Sequence, residues 1–552
     1  MHKHIKKIFS LLKGHKTLTA ILILAALLRF YNLANNPVSP YWDEVSIGYN
    51  AYSISQTGKD EWGEPLPLLF KAFGEYKLPG QIYLTVPFVK ILGLNDFSIR
   101  LPSAVMGILA VFAIYLLTSQ LAQKITSSRY SHKIALFSAL LLAISPWHLQ
   151  FSRAAFEANS AISLYAFGLY FLYSGLKKPR NYIYAAIIFG LSFYFYYHVR
   201  IIIPLIAIYF SIAYFKLLFK NLRTISVAVI FFLIITLPII YSAFTPQALK
   251  RSEEVSIIDI TTPQTNPDFV KAYAKYQNLS VIPNNFKDKL AWTDVLFEYY
   301  LRHLDFNFLF TTGDPHQPRH STTNHGLLYY FQIPLLLTGL FLLIRKHSKE
   351  SIFVIFLGAI FPLSAIFSDL TPHALRSSLG SFNLSLLSAF GMLPFLKQRI
   401  IKSISIIIIT LSVGFYLFQY HAVAPKTTSQ AWGYGHKELF TYLQPHTEPI
   451  IISGAYWNPY IYFLYYNHIN PSDYQKLDIK KTHFTNYFFA GADWDGRGAL
   501  SNNLIKSQLQ AGKNILVLTP TDDLRITIFR TLLHTIYDKN NSPIFLIYET
   551  YY

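Results

Sequence analysis

Residues 1–31 read MHKHIKKIFSLLKGHKTLTAILILAALLRFY. A basic head, with Lys3, Lys6, Lys7, Lys13 and Lys16, runs straight into the apolar stretch Thr17–Leu28. Crossing a ~30 Å hydrocarbon core takes about 20 mostly apolar residues. A secretory leader would show a small-x-small cleavage site at this point, but Arg29-Phe30-Tyr31 follows instead. The stretch therefore predicts an uncleaved first membrane helix over 17–36, entered from the cytoplasmic side.

The same pattern recurs along the chain. Further apolar segments lie near 98–119, 133–149, 158–176, 181–197, 199–215, 224–243, 326–344, 351–368, 375–396 and 403–420, which makes about eleven candidate spans. Composition agrees: 52% of the 552 residues are hydrophobic and 14% charged, with a mean hydropathy of +0.30. Soluble chains carry about 25% charged residues. Aromatics reach 17%, which suits rings anchored at a bilayer interface. The net charge of +19 comes as short clusters between apolar runs, not as one basic stripe, so nucleic acid is excluded as a partner. Cysteine is absent, which removes disulfides, thiolate metal sites and cysteine nucleophiles.

Charge sets the orientation. With the N-terminus inside, the inner segments carry Lys124, Arg129 and Lys133; Lys177, Lys178 and Arg180; and Lys216, Lys220 and Arg223. Arg345, Lys346 and Lys349, then Lys397, Arg399 and Lys402, complete the set. Every inner segment is basic, as the positive-inside rule requires. The prediction is a multi-spanning α-helical membrane protein with a small extracytoplasmic α/β C-terminal domain. Residues 1–420 form the membrane domain with outer loops 37–97 and 244–325, and 421–552 the outer domain. In the latter, Pro449–Ser453, Asn514–Leu518 and Pro543–Tyr548 read as strands, and Tyr434–Leu443 and Asn503–Ala511 as helices. Span interiors hold almost no ionisable residues, which argues against an ion-coupled transporter.

Six groups of polar residues fall at the outer face. Pro40-Tyr41-Trp42-Asp43-Glu44 supplies two acids able to deprotonate a hydroxyl, or else a solvated loop. Phe73-Gly74-Glu75-Tyr76-Lys77-Leu78-Pro79 supplies a lysine that can hold a phosphate, or merely snorkel. Arg153 and Glu157, four apart, are expected on one helix face. Tyr196-Tyr197-His198-Val199-Arg200 sits at an expected tight hairpin, and Arg100 opens the second span. Phe310-Thr311-Thr312-Gly313-Asp314-Pro315-His316, with Arg319-His320 and Asn324-His325, gathers imidazoles without a compact metal motif. Asp369, His373 and Arg376 lie at the outer ends of spans nine and ten.

This pattern resembles the C-type membrane glycosyltransferases of the protein mannosyltransferase and aminoarabinose transferase superfamily. Trp42-Asp43-Glu44 is similar to the family's acidic motif in the first outer loop. Tyr76-Lys77-Leu78-Pro79 is similar to its Tyr-x-Lys-Pro-Pro stretch, with Leu78 where a proline is often found. Arg153 with Glu157, Phe308-Leu309-Phe310 with Gly313-Asp314 and His316, and Trp432-Gly433-Tyr434-Gly435 add to the likeness. The loop ahead of the eighth span is too short for the β-trefoil of eukaryotic protein mannosyltransferases.

The resemblance implies sugar transfer with inversion from a polyprenyl-phosphate donor to a glycan, lipid or protein acceptor outside the membrane. It casts Asp43 as base with Glu44 assisting, and Lys77, Arg153, Arg200 and Arg376 as phosphate ligands. Glu157, His198, Asp314 and His316 would position sugar, acceptor or metal. No cofactor is called for, and a divalent metal stays open. A polysaccharide polymerase or ligase using a diphosphate-linked donor, a lipid or glycan transporter, and a non-catalytic scaffold are the alternatives.

Overall fold

The computed structural model describes residues 16–242, 266–278, 283–368, 370–396, 399–456, 458–477, 482–490 and 498–552. The basic head up to Lys13, Asp369, Lys397 and much of the second outer loop lie outside the described residues. Two compact units emerge. One draws on Met1–Tyr31, Ser103–Ser152 and Glu157–Gln419, the other on Asn32–Pro102, Arg153–Phe156 and Tyr420–Tyr552.

In the first unit, helices occupy the apolar segments read from the sequence. They include Lys16–Phe30, Ser128–Ile144, Glu157–Ser174, Asn181–Ser192, His198–Phe219, Leu222–Ser242, Gln332–Lys346, Lys349–Ile360, Leu379–Phe390 and Arg399–Phe418. The long helix Asp96–Ile125 crosses the boundary between the units. Among the described residues, four helices are long and apolar enough to cross a bilayer, or five if a bent pair counts as one span. That pair is Tyr130–Ile144 with Pro146–Ser152, bent by 57°. Pro146 lacks the amide that would continue the ladder, so the bend falls inside the apolar segment 133–149. The chain is a multi-pass helical protein with a small sheet domain.

The second unit has its own core. Strands β1 (Phe70–Ala72) and β2 (Glu75–Lys77) form a hairpin. Strands β3 (Ile450–Ile452), β4 (His483–Phe484), β5 (Tyr487–Phe489), β6 (Lys513–Leu518), β7 (Thr531–Tyr537) and β8 (Pro543–Tyr551) form a mixed sheet in the order β4-β5-β3-β6-β8-β7. β3 pairs in parallel with β5 and β6, and the other pairs are antiparallel. Alternation along the central strands divides two apolar layers. Ile450 and Ile452 of β3, with Ile515 and Val517 of β6, join a core that includes Val45, Ile47 and Tyr49. Ile451, Leu516 and Leu518 face the opposite layer with Ile505. Residues 32–102 and 420–552, far apart in sequence, thus share one core.

Three expectations are corrected. Residues 37–97, read as a loop, contain the helices Trp42–Thr57 and Gly80–Leu92. Trp42–Thr57 hides from a periodicity search because Glu44–Ala51 is buried on every side. Arg153 and Glu157 share no helix face, since one helix ends at Ser152 and the next begins at Glu157. They lie four positions apart, but the backbone between is not helical. The hairpin at Tyr197–Arg200 is wider than expected, because the chain leaves the helix at Ser192 and re-enters at His198.

Candidate functional site

Local chemistry places the acids of the second unit. Asp43 and Glu44 occupy the first turn of Trp42–Thr57. Exposed amides there and the helix dipole both favour carboxylates. Their side chains then diverge. Glu44 is fully buried against Arg100, which is also fully buried. Its Oε1 accepts from Arg100 Nε at 2.9 Å and from the Ala155 amide at 2.9 Å. Its Oε2 accepts from Arg100 Nη2 at 3.1 Å and from the Tyr41 amide at 3.3 Å. Arg100 spends its remaining hydrogens on the carbonyls of Leu33 (3.1 Å), Pro37 (2.8 Å) and Ser39 (2.8 Å). Both ions are satisfied, so the pair stitches the 33–44 segment to the start of Asp96–Ile125.

Asp43 points elsewhere. Its Oδ1 forms a short ion pair with Lys77 Nζ. The lysine is carried by β2, whose register Phe70↔Lys77 and Ala72↔Glu75 leaves a two-residue turn at Phe73-Gly74. Both turn residues have positive φ, at 53° and 79°, as a type I′ hairpin turn demands. Glycine at 74 adopts this freely, whereas Phe73 carries the strain and lays its ring 5.6 Å from Lys77 Nζ. Lys77 also reaches Glu75 Oε1 at 3.2 Å. The lysine side chain is 5% exposed and that of Asp43 24%, so the acid retains solvent access.

Arg153 belongs to the same unit. Its Nε donates to Tyr420 Oη at 3.2 Å and its Nη2 to the Asn36 carbonyl at 2.9 Å. Asn36 in turn donates to His421 Nδ1 at 2.8 Å. One unit thus gathers Asp43, Glu44, Lys77, Arg100 and Arg153. Arg100, noted in the sequence only as opening a span, emerges as Glu44's partner.

The remaining residues belong to the first unit. Glu157 begins its helix, half-buried. His198 is buried at the start of His198–Phe219, its ring 4.9 Å from that of Tyr196. Arg200 donates to the Phe193 carbonyl at 2.9 Å, capping the end of Asn181–Ser192. The Arg376 amide contacts His373 Nδ1 at 3.3 Å, and the Arg376 carbonyl accepts from Ser364 Oγ at 2.9 Å.

Asp314 is the centre of a buried network. Gly313 precedes it at φ 77°, where a Cβ would lie 2.4 Å from Ser321 Cβ, so only glycine fits. Asp314 Oδ1 accepts from the amides of His316 (2.9 Å) and Gln317 (3.1 Å). Its Oδ2 accepts from the Ala374 amide (2.8 Å) and lies 2.9 Å from His320 Nδ1. Burial works to raise the Asp314 carboxyl, but His320, His373 and the Ala374 amide outweigh it and hold it well below the usual range. Burial pushes the His320 and His373 imidazoles down. His316 is exposed and contacts the Thr371 carbonyl at 3.2 Å. The imidazoles beside Asp314 are those of His320 and His373, which chain distance alone does not single out.

Comparison with known proteins supplies the context. Residues 77–241 match the family described as dolichyl-phosphate-mannose-protein mannosyltransferase. No curated protein sequence matches the chain. Among solved structures, ArnT from Cupriavidus metallidurans bound to undecaprenyl phosphate aligns over 97% of this chain and 98% of its own. Its TM-score is 0.54 at 12% identity. The Archaeoglobus fulgidus oligosaccharyltransferase, in complex with Zn and sulfate, aligns over 91% of this chain and 67% of its own, with TM-score 0.51 and 13% identity. The same organism's AglB, in complex with an inhibitory peptide and a dolichol-phosphate, aligns over 92% and 70%, with TM-score 0.50 and 11% identity. The chain thus shares its fold with these membrane glycosyltransferase structures, and nothing in the matches bears on Trp42-Asp43-Glu44, which precedes residue 77.

Proposed function

We propose that this protein is an integral membrane glycosyltransferase that moves one sugar from a polyprenyl-phosphate carrier to a hydroxyl on an extracytoplasmic acceptor, with inversion. The observation that supports it most is the ion pair of Asp43 with Lys77, joining a carboxylate with solvent access to a buried cation. Asp43 takes the proton of the acceptor hydroxyl as its oxygen bonds to the anomeric carbon. The bond from that carbon to the phosphate oxygen breaks, and polyprenyl phosphate departs with the electron pair. Its new charge is balanced by Lys77, so no general acid is needed.

Lys77 is shared by Asp43 and Glu75. A donor phosphate competes for that ammonium, leaving Asp43 free to accept a proton. Arg153 is the second phosphate ligand, drawn from the same unit. Glu44 acts as the anchor of Arg100 and holds the first helical turn in place, a positioning role in place of direct assistance. All eleven apolar helices are taken as spans, with the N-terminus cytoplasmic and residues 421–552 outside, on the strength of the basic inner segments.

The test is transfer by the purified protein in liposomes, given polyprenyl-phosphate sugars and an acceptor extract. Release of polyprenyl phosphate with formation of an inverted glycoside is expected. Turnover restricted to a diphosphate-linked donor would replace this reading with the polymerase or ligase. No turnover with either donor class would overturn it.

A further inference from the structure

Asp314, His320 and His373 form a second cluster, confined to the first unit and separate in chemistry from the acid–lysine pair. Asp314 and His320 precede the helix Gln332–Lys346, and His373 precedes Leu379–Phe390. One ligand atom from each lies within 4.8 Å of the others, and all three residues are buried. The rings of His320 and His373 have centroids 4.9 Å apart.

We propose that these three side chains bind one divalent transition-metal ion of the zinc class, clamping the 313–321 loop to the 371–376 segment. Two imidazoles and a carboxylate are the donor set that zinc and its first-row neighbours take, whereas magnesium and calcium prefer oxygen throughout. A hydrogen-bonded latch between the loops would need only Asp314, one histidine and the Ala374 amide. The second buried imidazole exceeds that need. Ligand atoms at about 2.1 Å from a tetrahedral ion stand about 3.4 Å apart, so movements of about an ångström close the site. Outer contacts that orient ligands are in place. The His316 and Gln317 amides hold Asp314 Oδ1.

The test needs no turnover, so it stands apart from the transferase reading. The full chain, stripped with chelator in detergent, is titrated with Zn²⁺ and with Co²⁺, and bound metal is counted by mass spectrometry. One equivalent per chain is expected, with visible d–d bands from cobalt and a rise in melting temperature on adding zinc. In His320→Ala and His373→Ala, affinity falls by about tenfold or more. Where a variant does not fold, the wild-type cobalt spectrum decides. Substoichiometric metal with no cobalt bands overturns the site, as does equal retention of metal in both folded variants.

Discussion

Asp43 and Asp314 are the same side chain held in opposite ways. Asp314 is buried with both oxygens occupied by backbone amides and an imidazole from its own loops. Asp43 keeps partial solvent access and a lysine partner delivered by a hairpin. Glu44, one residue on from Asp43, resembles Asp314: four donors fill its oxygens. Glu44 and Asp314 each tie several donors from different segments together, whereas Asp43 holds a lysine and faces solvent. Adjacent acids in one sequence motif are therefore held by different partners.

The sharpest way to break that contrast is Arg100→Met. It strands the Glu44 charge in the interior, and loss of one partner of a buried pair costs about 3–5 kcal/mol. Denaturant unfolding in detergent is expected to show this loss, with much of it recovered in a Glu44→Leu/Arg100→Met double variant. A melting temperature unchanged by Arg100→Met would place Glu44 with Asp43 instead.

Asp314→Ala comes next. It removes the acceptor for the His316, Gln317 and Ala374 amides, and stranding buried donors costs about 1–3 kcal/mol. Lower stability in the same unfolding assay is expected, and wild-type stability would show that water serves those amides equally well. Lys77→Met acts on binding, not on folding. Loss of a charge-assisted contact worth about 1.5–3 kcal/mol predicts donor affinity weaker by about 10–100-fold, read from donor titration. Unchanged donor affinity would remove Lys77 from the phosphate site.

The smallest effect concerns pH. Burial pushes the His436 imidazole down to about 4 from an ordinary 6.5, against hydrogen bonds to the Gly433 and Tyr456 carbonyls. The unfolded chain therefore binds the proton first, and stability is full above about pH 6.5 and falls as pH drops toward 4. The loss near pH 6 is about 1 kcal/mol. His436→Phe should flatten that part of the pH profile, and an unaltered slope would assign it to other groups.

Much of the fold was legible because membrane helices are written in runs of apolar residues. Three strands of the C-terminal sheet, β3, β6 and β8, stood out as apolar runs for the same reason. β7 did not, since its residues are mostly exposed and its register shifts twice against β8. The helix Trp42–Thr57 carried no amphipathic signature because it is buried all round. At the site, Asp43 and Lys77 were legible as types in a motif, whereas the split between Asp43 and Glu44 was not. That split depends on Arg100, fifty-six residues from Glu44, and only tertiary structure brings the two together.

The most direct measurement is single-turnover sugar transfer by Asp43→Asn, with donor binding and melting temperature recorded on the same preparation. Asparagine keeps the size but accepts no proton. Retained folding and donor binding with transfer slower by about 10²–10⁴-fold is the expected result. Transfer at the wild-type rate would contradict Asp43 as the base.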